Sequence, residues 1–541
     1  MIYVVGSGPA GVSAAVALLR KGHEVTMLDA GLELESDRSR TVRTLAQQDA
    51  TNWDPQLVAR LKENMQSSTG GIPLKYIYGS DFPYRETDRY IPREASNVGL
   101  VPSLAKGGFS NVWGAAVLPY LESEMADWPI TYDQLAPHYR SVLSFVGLAA
   151  TRDDLESRFP LYSDDYAPMR ASRQAESFLS DLRKNRERLQ SRGFLFGYSR
   201  LAVFRRSQHG RECAACGLCM YGCPYGLIYS TTATLDELKR NRRFTYLKGV
   251  IVERFSETSH GVKIMARSRA NGEALSFHAS RVMVAAGVLS STKMLLDSMQ
   301  AYDRVLTLKD SQYFLLPLLR YRGVQGVASE PLHTLAQAFI EIFDENLSEQ
   351  SIHLQVYTYN DLYRQAIQNM LGAAYPLFRS ASNAFLRRFL LIQGYLHSDL
   401  SATVSVRLRA PQNGATSRLM LEGVENETTR KVLKGVAAKL SRHRSLLKAV
   451  PLRPMMKVGE PGRGFHAGGT LPMRAQPGDF ETDVMGRPKG FRRVHIVDSS
   501  VFPSINASTI TLTVMANAYR IASACEASPL AACEEMEAVA G

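Results

Sequence analysis

Residues 2–31 read IYVVGSGPAGVSAAVALLRKGHEVTMLDAG. Apolar, β-branched residues run into the glycines, Ala and Leu dominate the next dozen positions, and a second apolar run comes after Lys21 and Gly22. The pattern predicts strand, tight turn, helix, strand. Gly6, Gly8 and Gly11 form a GxGxxG that follows a strand and opens a helix, and Asp29 ends the second strand. In that setting the glycines let a pyrophosphate approach the helix N-terminus, whose free N–H groups and dipole favour negative charge, and Asp29 can accept hydrogen bonds from a ribose. A dinucleotide site is expected; the plain alternative is the Gly turn of any α/β protein. The motif alone does not separate NAD from FAD.

Outward from this opening, residues 32–92 are polar and without a clear period, and a second Gly-rich stretch, AKGGFSNVWGAAVLP, spans residues 105–119. Residues 121–207 read as mostly helical. TYLKGVIVERF (245–255) reads as a strand, and RVMVAAGVLSSTKMLLDS (281–298) repeats the strand, Gly turn, helix order. Between residues 310 and 451, alternating runs such as HLQVYTY (353–359) and SATVSVRLRA (401–410) are mixed with helical stretches, which suits an antiparallel sheet capped by helices.

The chain has 541 residues, 45% apolar and 21% charged, which excludes a disordered, collagen-like or small disulfide-framed protein. No apolar run approaches the roughly 18 residues of a membrane span. The N-terminus lacks a basic region, an apolar core and a cleavage site, so the mature protein is expected to start there, in the cytosol. Lys plus Arg number 64 against 52 Asp plus Glu, a net +12, but no dense basic run or nucleic-acid-binding signature accompanies it, and it reads as general surface charge.

Residues 464–473 read GFHAGGTLPM and residues 491–522 read FRRVHIVDSSVFPSINASTITLTVMANAYRIA. With AKGGFSNVWGA and VMVAAGVLSSTKML, these blocks resemble, in order, the signatures of the glucose-methanol-choline (GMC) family of FAD-dependent oxidoreductases. The resemblance implies an α/β fold, with a Rossmann-like FAD-binding domain interleaved with an α+β substrate domain on an antiparallel sheet. The FAD-binding parts are expected at 1–120, 208–305 (with a cysteine loop at 213–223) and 452–541, a helical segment of the substrate domain at 121–207, and the substrate-binding domain at 306–451. The resemblance makes His466 the catalytic base and Asn506 its partner. Gly107, Gly108, Ser110 and Asn111 fall in the loop that approaches the isoalloxazine, Gly249 and Val250 in the strand at the adenine end, and Gly287 in the second signature. Asp498 matches the acid beside the FAD chain, and Ala507, Ser508 and Thr509 the helix N-terminus under the flavin's N1 and O2 edge. Imidazole suits removal of a hydroxyl proton near neutral pH. His495 lies inside a strand candidate and reads as structural.

Four of the six cysteines fall within eleven residues: Cys213, Cys216, Cys219 and Cys223, followed by Pro224, give C-x2-C-x2-C-x3-C-P. This is the bacterial ferredoxin spacing for an iron-sulfur cluster. Three outcomes are open: all four thiolates hold a [4Fe-4S] cluster, which is favoured, three hold a [3Fe-4S] cluster, or a remote Cys525 or Cys533 contributes; tetrahedral zinc is the rival metal and bare thiols the plain reading. CMYGCPYGLIYST (219–231) also resembles the cluster-bearing bacterial sugar dehydrogenase branch, although the upstream spacing departs from it. The expectation is a dehydrogenase that oxidises a sugar or polyol-like alcohol and passes electrons to an external cytochrome, quinone or ferredoxin-like acceptor. Open alternatives are a lipid, sterol or lipid-linked sugar alcohol as substrate, an oxidase with zinc or free thiols, and an electron-transfer or redox-sensing flavoprotein with no alcohol substrate. Residues 377–392, LFRSASNAFLRRFLLI, place Phe378, Ala381, Phe385, Phe389 and Ile392 at helical spacing among arginines, with Pro376 as a helix start. That helix reads either as packed on the sheet core or as a peripheral membrane contact.

Overall fold

The computed structural model describes residues 1–63, 72–412 and 416–525; Cys533 lies outside them. The opening segment forms the strand Ile2–Val5, the helix Pro9–Arg20 and the strand Val25–Asp29. These strands sit in a five-stranded parallel sheet with Val494–Ile496, Arg281–Val284 and Phe244–Lys248. Strands nearly 500 residues apart in sequence thus share one sheet, and the last helix, Ile510–Ser523, packs on the first, with Ser13 Oγ donating to the Met515 carbonyl at 2.7 Å.

A seven-stranded sheet runs Ala449–Pro451, Tyr313–Arg320, Phe389–Leu396, Ser348–Tyr357, Ala338–Asp344, Phe194–Tyr198, with Lys457–Val458 also paired to Tyr313–Arg320. Its pairs are antiparallel, and strict alternation gives it two unlike faces. Phe314, Leu316, Ile340, Ile352, Leu354, Leu390 and Ile392 form one core with the helices Arg173–Lys184 and Glu427–Arg442. The other face turns toward the parallel sheet's side of the molecule. A third sheet of five strands includes Val305–Asp310, Thr403–Arg409 and the short Ala467–Gly468, and a three-stranded meander covers Val250–Ala279. The mixed α/β architecture with several sheets is the expected fold class.

Three local expectations are corrected. The run 245–255 is two strands, Phe244–Lys248 and Val250–Thr258, broken where Gly249 takes φ +78°. The segment 121–207 is less helical than its composition suggests and supplies the strand Phe194–Tyr198 to the edge of the seven-stranded sheet. The helix expected across 377–392 is Tyr375–Leu386, with Pro376 in its first turn; Phe389 and Ile392 belong to a buried strand. Alternation of Phe389, Leu391 and Gln393 against Leu390 and Ile392 fits the pleat, and the sheet wins over the helical spacing. Among the described residues no helix is long and apolar enough to cross a membrane.

Candidate active site

A cleft of about 630 Å³ opens at the C-terminal ends of the parallel strands, where open α/β sheets bind ligands. Its lining includes Gly6, Gly8, Asp29, Gly108, Val250, Gly287 and Asp498 from the sequence-predicted set, with Phe465, Ala467 and Ile510 at one end. Gly11, Gly107, Ser110, Asn111, Gly249, His466, Asn506, Ala507, Ser508 and Thr509 stand outside that lining. The reason differs by position. A Cβ on Gly11 would lie 1.9 Å from the Gly6 carbonyl oxygen, so this glycine serves the packing of helix on turn. A Cβ on Gly8 would meet nothing within 4 Å, so the backbone is open to an approaching group at the helix N-terminus. This open cradle and the acid at the second strand's end fit a dinucleotide.

Polar contacts lock the two Gly-rich loops together. Ser7 Oγ donates to Asp29 Oδ2 at 2.5 Å and accepts from the Gly107 N–H at 2.9 Å, and Tyr246 Oη donates to the same carboxylate oxygen at 2.7 Å. Burial pushes the Asp29 carboxyl's pKa up despite these bonds. Ser110 Oγ donates to the Gly107 carbonyl at 2.6 Å, and the Asn111 amide closes its own turn onto the carbonyls of Lys106 and Gly108. Asp498 spends both oxygens inside the protein: Oδ2 accepts from the Gly287 N–H and Ser291 Oγ, Oδ1 from the N–H and Oγ of Ser500. It fastens the Gly287 turn to the C-terminal block.

His466 follows Phe465, whose φ is +57°, and its Nδ1 is buried without a hydrogen-bond partner. Burial, and secondarily the nearby His353, push its pKa down to about 3, so the ring is neutral across the ordinary range. Asn506 is fully buried, and neither Oδ1 nor Nδ2 makes a well-formed hydrogen bond, its side chain facing His397 alone; Ser508 Oγ is likewise buried and free. Buried polar groups are nearly always paired. Unpaired polar atoms on His466, Asn506 and Ser508, just ahead of the helix Ile510–Ser523, therefore mark a place where a ligand's polar atoms belong. Thr509 Oγ1 is already used, accepting from the Leu118 N–H at 2.8 Å. His495 donates its Nδ1–H to the Met485 carbonyl at 2.8 Å inside its strand.

Sequence reasoning missed the neighbours of His466. Tyr313, Tyr395, His353 and Glu341 are direct cross-strand partners in four adjacent strands and form one row on the polar face of the seven-stranded sheet. Within this row the Tyr395 ring stacks on His466, 4.6 Å between centroids and 20° apart in plane. His353 stacks behind Tyr395 at 6.1 Å, and its Nδ1 is 2.6 Å from Glu341 Oε1. Tyr395 also packs with Ala507, which ties His466 to the Asn506 turn. His397 stands beside Asn506, its Nε2 unpartnered and its pKa pushed down to about 4, mainly by burial. Only the register of four strands brings this row together, and no spacing in the chain announces it.

The cysteine loop is anchored from outside. Tyr78 Oη donates to the Cys223 carbonyl at 2.9 Å, the Thr334 N–H to Cys219 Sγ at 3.4 Å, and a Cβ on Gly222 would strike the Tyr78 ring. Backbone N–H groups of Ala215, Leu218, and Leu227 with Ile228 point at the sulfurs of Cys213, Cys216 and Cys223. Burial, and then the neighbouring thiols, raise the pKa of Cys216 to about 12 and of Cys223 to about 11. The donor set is chemically suited to iron and sulfide, with thiols close enough to influence one another and N–H groups directed at sulfur. However, among the described residues no group of three or more His, Cys, Asp or Glu side chains is arranged to hold a metal ion. The spacing alone therefore does not assemble a metal centre, whether of iron and sulfide or of zinc. Cys525, the expected remote ligand, has its Sγ 3.9 Å from His495 Nε2.

Residues 398–518 match the sequence profile described as GMC oxidoreductase, that of the family's C-terminal part. No curated protein matches the chain by sequence. Among solved structures, the chain is similar to pyridoxine 4-oxidase from Mesorbium loti, at TM-score 0.57 and 16% identity over 96% of this chain and 98% of the other. It is similar to a formate oxidase of Aspergillus oryzae studied for FAD modification, at TM-score 0.57 and 13% identity over 96% and 97%. An FAD-dependent oxidoreductase from Chaetomium thermophilum gives TM-score 0.58 and 12% identity over 96% and 98%. These likenesses establish a shared fold along nearly the whole chain, and the segment that matches the GMC oxidoreductase profile, residues 398–518, contains His466 and Asn506.

Proposed function

We propose that this protein is an FAD-dependent dehydrogenase that oxidises a hydroxyl of a sugar or polyol-like alcohol to a carbonyl, with an iron-sulfur cluster on Cys213, Cys216, Cys219 and Cys223 carrying electrons to an external acceptor. The observation that carries the reading is the set of buried, unpartnered polar atoms on His466 and Asn506 at the start of the last helix. FAD held in the cleft supplies a hydride acceptor. Gly8 and the N-terminus of Pro9–Arg20 would meet its pyrophosphate, and Asp29 its ribose. His466, neutral at working pH, takes the hydroxyl proton at Nε2, the ring nitrogen left accessible. Asn506 orients the reacting oxygen through its amide, and the first-turn N–H groups of Ile510–Ser523 favour negative charge beside it. The substrate thus loses a proton from oxygen and a hydride from carbon.

The polar row beside His466 is bonded within itself through Glu341, His353, Gln355 and Tyr357, so the sugar or polyol substrate rests on the resemblance to the sugar dehydrogenase branch. The ferredoxin spacing and the N–H groups directed at sulfur support the cluster, whose chemistry is one-electron acceptance.

The test is anaerobic bleaching of the flavin band by a panel of aldoses, polyols and long-chain alcohols. His466→Ala is expected to slow bleaching by roughly a hundredfold or more; bleaching at the wild-type rate would remove His466 as the base. Iron and sulfide analysis with EPR on anaerobically purified protein tests the cluster separately, and absence of iron removes the relay while leaving the alcohol chemistry standing.

A further inference from the structure

The helices Asp361–Leu371 and Tyr375–Leu386 form a hairpin on the outside of the molecule. The first buries none of its residues, and the second buries only Ser382 and Leu386. Between Arg364 and Arg379 the sequence QAIQNMLGAAYPLF carries no charge for fourteen residues. Leu377 is 85% exposed and Met370 77%, the two most exposed large apolar side chains among the described residues, and Phe378 beside them is 51% exposed. Single exposed apolar residues are ordinary, but several together on an uncharged tip are not.

The base of the hairpin, by contrast, is seated. Phe389 meets Tyr363 and Phe385, each at 5.1 Å between ring centroids, and Leu362 packs with Leu218 and Tyr221 of the cysteine loop. Charge around the tip is one-sided. Arg379 stands beside Phe378 at the tip, while Arg364, over the Tyr359 ring, and Arg387 and Arg388, the latter donating to the Arg320 carbonyl, stand toward the base, where the single acid Asp361 is paired with Lys62 at 3.5 Å. Among the described residues none of the four arginines pairs with a carboxylate.

We propose that this tip is a docking surface for an anionic lipid bilayer. Met370, Leu377 and Phe378 enter the boundary between headgroups and acyl chains, while Arg379 beside them meets lipid phosphates. Charge selects the bilayer over a second copy of the chain, since a symmetric contact through the tips would bring unpaired arginines together.

The test uses the full-length flavin-loaded protein and sedimentation with phosphatidylcholine vesicles, with and without phosphatidylglycerol. Binding is expected to the anionic vesicles and to weaken in high salt. Replacing both Leu377→Glu and Phe378→Glu should lower the partition by more than about tenfold, and Arg379→Glu by about fivefold, with the flavin spectrum of each variant unchanged. Wild-type protein left in the supernatant, or a doubly substituted variant that sediments like wild type, overturns the proposal. A concentration-dependent dimer that the same substitutions abolish, without vesicle binding, also overturns it and assigns the tip to a second copy.

Discussion

The parallel sheet and the seven-stranded antiparallel sheet both contribute to the surroundings of His466, but they use their residues differently. In the parallel sheet, Val25–Asp29 is buried at every position and Ile2–Val5 and Arg281–Val284 nearly so, and the chemistry sits in the turns after the strands. In the antiparallel sheet, Ser348–Tyr357 puts Ile352, Leu354 and Val356 into the apolar core and His353, Gln355 and Tyr357 onto the opposite face. A nucleotide cradle is made by backbone, so glycine and a helix start suffice. The wall beside the base is made by side chains, so it depends on which residues stand opposite one another across four strands.

The largest effect should come from the backbone-built half. With a Cβ on residue 11 only 1.9 Å from the Gly6 carbonyl oxygen, Gly11→Val is expected to yield protein without bound flavin, or none that is folded; the visible absorption per chain measures this. Normal flavin content in that variant would break the distinction. A smaller effect is expected from the side-chain half. Tyr395→Ala removes the ring stacked on His466 and should leave flavin content intact while slowing anaerobic flavin reduction roughly ten- to hundredfold, the scale of a misplaced catalytic group. Tyr395→Phe keeps the ring and should restore most of the rate. Equal slowing in both variants would mean that the hydroxyl, not the stack, matters.

The smallest effect is that of pH. His466 holds its proton only to about pH 3, so its neutral, proton-accepting form is fully present well below neutrality. Flavin reduction should therefore change by less than about twofold between pH 5 and pH 7. Asp310, whose carboxyl burial raises to about 8, is the neighbouring group due to ionise on the alkaline side. An acid limb centred near pH 6.5 would show that the His466 ring is solvated in the working enzyme.

The same division between backbone and side chains decides how much was legible in the chain. The GxGxxG, the second Gly turn at Gly287 and the His466 and Asn506 blocks are contiguous signals, because each is one local turn at the end of a strand. Ser110, Asn111 and Asp498 are recognisable as part of the site, but the structure shows them bonded within the loops they stabilise. Tyr395 and His397 lie in an ordinary-looking run, GYLHSDL, and Glu341 and His353 in two other strands, so nothing local points to them. Helical spacing also misreads Phe389 and Ile392, since residues three or four apart coincide with one face of a helix while the neighbouring strands supply the hydrogen bonds that make a sheet.

By itself the sequence determined the α/β opening, the Gly turn after its first strand and the spacing of four cysteines, each set by the local conformational needs of glycine, helix start or loop, and through a family resemblance it pointed to His466 and Asn506. Only the tertiary structure decided that the first and last helices pack together, that Tyr395 lies on His466, and that the apolar residues near 377 stand outside while Phe389 and Ile392 go inside. Strand register and burial are properties of contacts between distant segments, and those contacts exist only once the chain has folded.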